Sequence, residues 1–165
     1  MDSALTYQAY YTKSDPILNY MTGMLNFEPH DEILEPCGGD GVFIDKILEH
    51  NPNAHINVFE LNPSAVIGLK EKYSAKPGVS VKETDTLLDT AIISCTQRYD
   101  KIIGNPPYGA RNNEKKKDLL NKLYSDLYTK ESYTLFLYAC TRCLKENGEL
   151  CFIIPDTFLS LHRHL

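Results

Sequence analysis

The feature that most constrains the fold is a glycine-rich turn, Gly38-Gly39-Asp40-Gly41, placed between a strand pattern and a helix pattern. The strand pattern is Glu32 to Glu35, a short apolar stretch that ends at an acid. From Val42 to His50, apolar residues recur at the spacing of one helical face. A second strand pattern, His55 to Glu60, comes next. Strands that alternate with helices in this way are typical of α/β folds.

The same alternation continues to the end of the chain. Asn62-Pro63-Ser64 is typical of a helix start with proline just inside it, and the pattern runs on from Ala65 to Tyr73. Helical periodicity returns from Leu119 to Lys145, which predicts two helices, the second ended by Asn147-Gly148. Three more strands are predicted at Val79 to Val81, Tyr99 to Ile103 and Leu150 to Ile154. Five strands alternating with helices predict a mostly parallel sheet with helices on both faces.

Composition narrows the function classes. The 165 residues favour one domain, and the net charge of -5 argues against a dedicated nucleic-acid-binding module. No apolar run approaches the roughly 20 residues of a membrane span, and no secretion signal is present. The five cysteines suit reduced thiols, so we expect a cytoplasmic protein. Cys140 and Cys143 fall in a helical pattern, which favours two buried thiols over a zinc site, and we expect no metal.

Three acids follow three successive strands, where an open parallel sheet binds its ligand. Glu35 precedes the glycine turn, which is not the Gly-x-Gly-x-x-Gly fingerprint of dinucleotide sites. An acid there repels a pyrophosphate and attracts a cation, so S-adenosylmethionine fits better than NAD. Glu60 lies roughly 20 positions past the turn, the spacing of an acid that binds ribose hydroxyls. Asp85, after the third strand, is placed to bind the adenine amine of the cofactor.

The tetrapeptide Asn105-Pro106-Pro107-Tyr108 follows the apolar strand from Tyr99. The amine of an aromatic base is a weak nucleophile because its lone pair is delocalised into the ring. The Asn105 side-chain oxygen and the Pro106 carbonyl can accept hydrogen bonds from the two N–H groups of the amine. The prolines fix φ, so both acceptors are preorganised. Tyr108 offers a face on which a flipped base can stack. The tetrapeptide therefore predicts methyl transfer to a nitrogen.

The chain resembles the amino-methyltransferases of DNA, the N6-adenine modification enzymes of restriction–modification systems, in the group whose cofactor motif precedes the catalytic motif. The resemblance implies a Rossmann-like fold that binds S-adenosylmethionine, and a modification activity that is site-specific for adenine in DNA. The segments that match are Tyr11 to Met21, Ile33 to Phe43, Phe59 to Pro63, Asp85 to Leu88, Asn105 to Tyr108 and Ser132 to Leu159.

The resemblance also implies two sets of site residues. The catalytic set is Asn105, Pro106, Pro107 and Tyr108. The cofactor-binding set is Thr12, Glu35, Pro36, Cys37, Gly39, Gly41, Phe43, Glu60, Leu61, Asp85, Thr86 and Asn105. The family often has Thr-Pro where this chain has Thr12-Lys13, which is a departure from the pattern.

The family's usual organisation implies two parts in this chain. Residues 1–30 are expected to close over the cofactor, and residues 31–165 to form a catalytic domain that is incomplete at its C-terminus. The family's sheet normally ends with an antiparallel pair of strands, and a separate region recognises the target sequence. We therefore expect a fragment, or a partner subunit that completes the sheet, with no target recognition domain and only weak DNA binding. An isolated chain of this kind need not be active.

Two other interpretations stay open. The same tetrapeptide serves methyltransferases that act on a glutamine amide of translation release factors, although those carry a helical domain where only about 30 residues precede Glu32 here. An RNA amino-group methyltransferase is a related possibility. A truncated protein that binds the cofactor without turnover is the non-enzyme alternative. The charged run from Asn112 to Asp118 is explained more simply as a solvated loop and helix start than as a phosphate-contacting patch.

Overall fold

A computed structural model describes residues 12–108, 114–127 and 131–159 of the chain. Five strands and six α-helices follow one another in these ranges. The strands are β1 Glu32–Glu35, β2 His55–Glu60, β3 Val79–Glu83, β4 Tyr99–Gly104 and β5 Leu144–Phe152. The helices are α1 Asp15–Gly23, α2 Val42–His50, α3 Pro63–Lys72, α4 Thr90–Ile93, α5 Glu114–Leu123 and α6 Ser132–Cys143, with 3₁₀ turns at Thr86–Leu88 and Asp156–Leu159.

The five strands form one parallel sheet in the order β3-β2-β1-β4-β5. The strand order reverses between β1 and β4, because the chain builds outward from β1 to β3 and then returns to the other side of β1. In open parallel sheets a ligand binds at such a reversal, beyond the carboxyl ends of the strands. The α/β prediction with a parallel sheet is confirmed, and it directs attention to the residues after Glu35 and Gly104.

The core lies on both faces of the sheet, because successive strand residues point to opposite sides. Leu34 and Ile102 pack on one face, against the helices α4, α5 and α6. Ile33 and Ile103 pack on the other face, against α1, α2 and α3. All four side chains are 0% exposed. The prediction that helices cover both faces is therefore confirmed.

One part of the predicted helix pattern is wrong. Helix α6 ends at Cys143, not at Asn147-Gly148, and Leu144 already pairs with Tyr99 as the first residue of β5. The last carbonyls of α6 accept hydrogen bonds from the N–H groups of Gln97 and Arg98, which satisfies the helix end there. Several predicted boundaries also move: β3 extends to Glu83, β4 to Gly104, β5 ends at Phe152, and the helix predicted from Leu119 begins at Glu114.

Asn147 and Gly148 form an irregularity within β5 instead of a helix cap. The β4–β5 register shifts between Tyr99 and Lys101, and Asn147 takes a left-handed backbone with φ 63°. A Cβ on Gly148 would lie 3.0 Å from Leu144 Cδ2 and 3.1 Å from the Asp100 carbonyl oxygen. Glycine suits this close approach, and the register shift shows that the Asn-Gly pair lies in a bulge of the strand.

The sequence expectations on cysteines and membranes have structural counterparts. Cys140 and Cys143 are both 0% exposed in α6 and lie in the core, as predicted for two buried thiols. In the part of the chain that the structure describes, no helix is both long and apolar enough to cross a bilayer.

Candidate active site

The glycine turn is held close to β2 at its first residue. The Gly38 N–H donates to the Phe59 carbonyl at 2.9 Å, and a Cβ on Gly38 would lie 2.4 Å from Val58 Cγ1. Gly39 and Gly41 have φ values of 54° and 81°, the left-handed region that favours glycine. The turn therefore has its shape because three glycines are placed where a side chain would clash or strain the backbone.

Glu35 ends β1 beneath this turn and is 1% exposed. Its Oε2 atom has no hydrogen-bond partner among the residues that the structure describes. Burial raises the pKa of Glu35 well above its usual value, and the nearby acids Glu60, Asp40 and Asp45 raise the pKa further. A buried carboxylate oxygen with acids around it is an environment that a cationic ligand would stabilise.

Glu60 ends β2 and binds the glycine turn directly. The Gly39 N–H donates to Glu60 Oε2 at 2.8 Å, and the Asn62 N–H donates to Glu60 Oε1 at 2.6 Å. Asn62 in turn caps α3 by accepting from the Ser64 N–H. Glu60 therefore connects the turn to the start of α3, a bracing role that the sequence did not predict. Each carboxylate oxygen retains a second lone pair, so the predicted role toward ribose hydroxyls stays a prediction.

Asp85 and Thr86 follow β3 and belong to the same edge of the sheet. Asp85 Oδ2 forms an ion pair with Lys116 Nζ at 2.5 Å, and Asp85 Oδ1 accepts from the Leu87 N–H at 3.3 Å. The Thr86 hydroxyl donates to the Pro36 carbonyl at 2.5 Å, which joins the ends of β3 and β1. Lys116 lies in the charged run interpreted as a solvated loop and helix start, of which residues 112 and 113 lie outside the described residues. At Lys116 the run contacts the site instead.

The remaining predicted cofactor residues differ in their placement. The Phe43 side chain is 2% exposed and packs in the core, so only its backbone at the start of α2 faces the turn. Leu61 is 44% exposed at the end of β2. Cys37 is half-buried, and burial raises the pKa of its thiol well above the usual value. The role of each residue toward a cofactor stays a prediction.

The tetrapeptide begins directly after β4, next to the end of β1. A Cβ on Gly104 would lie 3.3 Å from Pro36 Cδ, so β4 and the turn after β1 are in close contact. The Asn105 Nδ2 group donates to Thr12 Oγ1 at 3.2 Å. Thr12, the predicted member of the N-terminal segment, therefore contacts the predicted catalytic asparagine, whereas Tyr11 lies outside the described residues.

Tyr108 is anchored at both its hydroxyl and its ring. The hydroxyl lies 2.7 Å from Asn105 Oδ1 and 2.9 Å from the Ile153 carbonyl oxygen, and its proton can donate to either acceptor. The ring meets Tyr133 edge to face, with centroids 6.2 Å apart and planes at 85°. Burial raises the pKa of Tyr108, so the hydroxyl stays a donor at neutral pH. Tyr108 thus contacts the oxygen of Asn105 that was predicted to accept from the substrate amine.

Sequence reasoning missed four residues that support the site. The Ser132 hydroxyl donates to the Pro107 carbonyl at 2.6 Å, and Tyr133 and Ile153 contact Tyr108. Lys116 is the fourth, through its ion pair with Asp85. Ser132 and Tyr133 begin α6 and Ile153 follows β5, so these contacts depend on how distant elements meet. The only sequence signal for them was the likeness of Ser132 to Leu159 to later motifs of the family.

Comparisons with known proteins identify the family to which this sequence is similar. A family model described as Eco57I restriction-modification methylase matches residues 42–164. The modification methylase CviBIII of Paramecium bursaria Chlorella virus NC1A is 38% identical over 131 residues, covering 78% of this chain and 32% of that protein. The type II methyltransferase M.AccI of Acinetobacter calcoaceticus is 31% identical over 133 residues, covering 78% of this chain and 24% of that protein. The chain thus spans about a quarter to a third of the length of these relatives.

A solved structure shares the fold over almost the whole chain. It is the modification subunit assigned to a type I restriction enzyme from Vibrio vulnificus YJ016, with a TM-score of 0.76 and 17% sequence identity. The match covers 95% of this chain and 37% of that one. At this identity the likeness concerns the fold alone.

Proposed function

Since this chain belongs to the Eco57I restriction-modification methylase family, we propose that it forms the cofactor-binding and catalytic part of a DNA methyltransferase. The proposed reaction is methyl transfer from S-adenosylmethionine to the N6 amine of adenine, as the modification activity of a restriction–modification system. Two observations carry the proposal: Glu35 ends β1 and the Asn105 tetrapeptide follows β4, on either side of the reversal in strand order, and the buried Glu35 Oε2 atom has no hydrogen-bond partner among the described residues.

The residues at the strand ends fit this cofactor. S-adenosylmethionine carries a sulfonium and an ammonium and no phosphate. Glu35 Oε2 is buried without a partner among the described residues, and Glu60 and Asp40 add negative charge near it. A phosphate-containing cofactor would be repelled by this set, whereas a cation would supply the missing partner. The fit therefore favours a positively charged, phosphate-free cofactor.

The strand-end residues would hold the cofactor in order along the sheet edge. Glu35 and the glycine turn would face its charged end, Glu60 its ribose hydroxyls and Asp85 its adenine amine. Thr12 would act from the N-terminal segment, residues 1–30, next to the catalytic domain of residues 31–165. The contact between Thr12 and Asn105 supports a role for that segment at the reacting centre. The other members of the proposed set are Pro36, Cys37, Gly39, Gly41, Phe43, Leu61, Thr86 and Asn105.

The tetrapeptide would activate the amine by accepting hydrogen bonds from its two N–H groups. Asn105 Oδ1 and the Pro106 carbonyl would each accept one N–H bond, which localises the nitrogen lone pair. When bound, the cofactor supplies an electrophilic methyl group on a positively charged sulfur. The Tyr108 hydroxyl lies 2.7 Å from Asn105 Oδ1, and this contact would help to orient the acceptor toward the amine. Since the proton leaves after the nitrogen has become cationic, no strong base is needed.

The substrate and partners follow from the same proposal. An adenine inside a duplex must be flipped out to reach the site, and stacking on Tyr108 would return about 1–3 kcal/mol of the unstacking cost. With a net charge of -5, the chain alone would bind DNA weakly. A partner subunit or a further region would then supply sequence recognition and pair with the outer edge of β5.

Methyl transfer from labelled S-adenosylmethionine tests the proposal. The full chain is incubated in parallel with unmethylated duplex DNA, RNA and a translation release factor, with Asn105→Ala as the control and cofactor binding measured by calorimetry. We expect label in adenine of DNA, and a roughly 100- to 1000-fold lower rate in Asn105→Ala with cofactor affinity retained. Label only in RNA, or only in the release factor, would show that this molecule and not DNA is the substrate. Cofactor binding without any transfer would support the non-enzyme alternative.

A further inference from the structure

The C-terminal end of α3 holds the glycine turn on the side opposite Glu60. The Tyr73 hydroxyl lies 2.8 Å from the Gly41 carbonyl oxygen and 2.8 Å from Asp45 Oδ1, and its single proton can donate to either acceptor. Lys72 Nζ donates to the Asp40 carbonyl at 3.2 Å and pairs with Asp45 Oδ2 at 2.6 Å. We call Lys72, Tyr73 and Asp45 the α3 clamp. It binds the last two carbonyls of the turn, whereas Glu60 binds an N–H group of the turn.

The clamp also limits the space around the turn. Gly41 has φ 81°, and a Cβ there would lie 2.5 Å from Tyr73 Oη and 2.9 Å from Leu69 Cδ2. Tyr73 is only 5% exposed, so its ring cannot swing into solvent to make room. The hydroxyl of Tyr73 therefore both attracts the Gly41 carbonyl and sets how closely the turn approaches α3.

The protonation of the Tyr73 hydroxyl and the charges around Glu35 both bear on the role of the clamp. Burial and the hydrogen bond to Asp45 raise the pKa of Tyr73, so its hydroxyl stays protonated and donates at all physiological pH values. Burial raises the pKa of Glu35, and the acids Glu60, Asp40 and the clamp residue Asp45 raise it further, whereas Lys72 lowers it by less than these effects raise it. The direct action of the clamp is therefore on the turn, through the carbonyls of Asp40 and Gly41.

We propose that Tyr73 and Lys72 are positioning residues for cofactor binding. They act through the turn without touching the cofactor themselves. The inference rests on the proposed function, because it takes the glycine turn to be the cofactor-binding loop. It adds that the backbone of the turn is held by two sets of residues. Glu60 binds an N–H group of the turn, and the clamp binds two of its carbonyl groups.

Calorimetry of S-adenosylmethionine binding to the full chain tests the clamp. Tyr73→Phe keeps the ring and removes only the hydroxyl, and we expect a cofactor Kd about 5-fold higher than that of the wild type. Lys72→Met keeps the exposed stem and removes the ammonium, with an expected increase of about 2-fold. Asn26→Ala is the control, because it removes the side-chain hydrogen bond from Asn26 Nδ2 to Glu149 at the far end of the sheet. Its Kd should equal that of the wild type although its stability falls.

A second pair of variants separates positioning from simple loss of stability. Gly41→Ala alone should weaken binding strongly, because its Cβ meets the Tyr73 hydroxyl. Combined with Tyr73→Phe, the same substitution should cost less affinity than the two single losses added together, since the clashing oxygen is gone. Unchanged Kd values in both Tyr73→Phe and Lys72→Met would overturn the clamp while leaving the proposed function intact. If the wild type itself binds no cofactor, the proposed cofactor site is wrong.

Discussion

The two ends of the sheet carry similar carboxylates in opposite environments. At the amino ends of the strands, Asp100 Oδ2 pairs with Lys145 Nζ at 2.7 Å and accepts from the Glu32 N–H at 2.9 Å. Glu149 there pairs with Lys101 at 2.9 Å and accepts from the Asn26 backbone and side-chain amides. At the carboxyl ends, Glu35 is buried with one oxygen unpartnered among the described residues.

The pKa directions at the two ends differ accordingly. The hydrogen bonds from Lys101 and from the Asn26 N–H lower the pKa of Glu149, and they outweigh burial, which raises it. For Asp100, burial raises the pKa, but the hydrogen bonds from Lys145 and Glu32 outweigh it and the pKa falls. For Glu35, burial and neighbouring acids act together and the pKa rises. At the amino ends, Asp100 and Glu149 are paired with lysines. At the carboxyl ends, Glu35 Oε2 has no partner among the described residues, and a buried acid of this kind is typical of functional sites.

Replacing the uncompensated acid should have the largest effect on binding. Glu35→Gln keeps the shape of the side chain and removes its charge, so we expect roughly 10- to 100-fold weaker S-adenosylmethionine binding by calorimetry. The stability of the chain at neutral pH should not fall, because glutamine does not ionise and so avoids the cost of ionising a buried carboxyl group. Glu149→Gln is the matched control and should show lower stability with unchanged cofactor affinity. Equal affinities in Glu35→Gln and the wild type would contradict the assignment of Glu35.

Breaking the amino-end network should affect stability alone. Lys101→Met removes the cation from a pair whose side chains are 10% and 32% exposed, leaving Glu149 partly buried without its charge partner. The expected loss is about 1–2 kcal/mol in urea denaturation, less than for a fully buried pair. Lys46→Met, in an i,i+3 pair with Glu49 that is 58% exposed, should cost less than about 0.5 kcal/mol. A change in cofactor affinity in Lys101→Met would show that the two ends are coupled.

The pH dependence of stability should separate the two ends by sign. Asp100 and Glu149 have lowered pKa values in the folded state. Their contribution is therefore present above unfolded pKa values of about 4 and is lost as pH falls through the lowered folded values. Glu35 has the opposite sign, because its folded pKa lies above the unfolded one. Its effect is a loss of stability as pH rises from about 4.3 toward the folded pKa.

Urea denaturation followed by circular dichroism across this pH range measures both effects. Glu35→Gln should remove the decline with rising pH and leave the acid-side decline intact. Glu149→Gln should reduce only the acid-side decline. If both variants keep the wild-type profile, the carboxylates at the two ends do not differ in the way described.

The smallest effect concerns the other unpartnered buried atom, the Tyr99 hydroxyl at the amino end of β4. Tyr99 is 0% exposed and its hydroxyl has no partner among the described residues. Tyr99→Phe should therefore leave stability unchanged or raise it by less than about 1 kcal/mol. Tyr124→Phe is the control, because the Tyr124 hydroxyl donates to the Leu87 carbonyl at 2.8 Å, and it should lose about 1 kcal/mol. A comparable loss in Tyr99→Phe would show that its hydroxyl is bonded.

Local patterns predicted the sheet and the positions of the acids. Periodicity and turn residues were sufficient for the start of each of the first four strands and for α2, whose bounds match the prediction. Since the carboxyl ends of parallel strands share one edge, the order of the elements alone brought Glu35, Glu60 and Asn105 together. The error at Asn147-Gly148 arose because the same dipeptide suits a helix end and a strand bulge, and only pairing with β4 distinguishes them.

What the sequence could not predict depends on distant residues meeting. The Tyr73 hydroxyl reaches the Gly41 carbonyl 32 positions away, and Tyr108 reaches the Ile153 carbonyl 45 positions away. No local signal specifies such pairs, because each of these tyrosines is also an ordinary core residue in the sequence. The bracing of Gly39 by Glu60 was missed for a related reason, since a strand-end acid has the same pattern whether it binds backbone or ligand.

Helix α6 passes into β5 without a connecting residue, and both ends of this unit reach the tetrapeptide through Ser132 and Ile153. The number of residues in this unit therefore determines whether both contacts with the tetrapeptide can form. Adding or deleting a residue within it would shift one of the two contacts. Only the bulge around Asn147, at the far end of the sheet, can take up a change in length. Insertions should be tolerated there and nowhere else between Ser132 and Ile153.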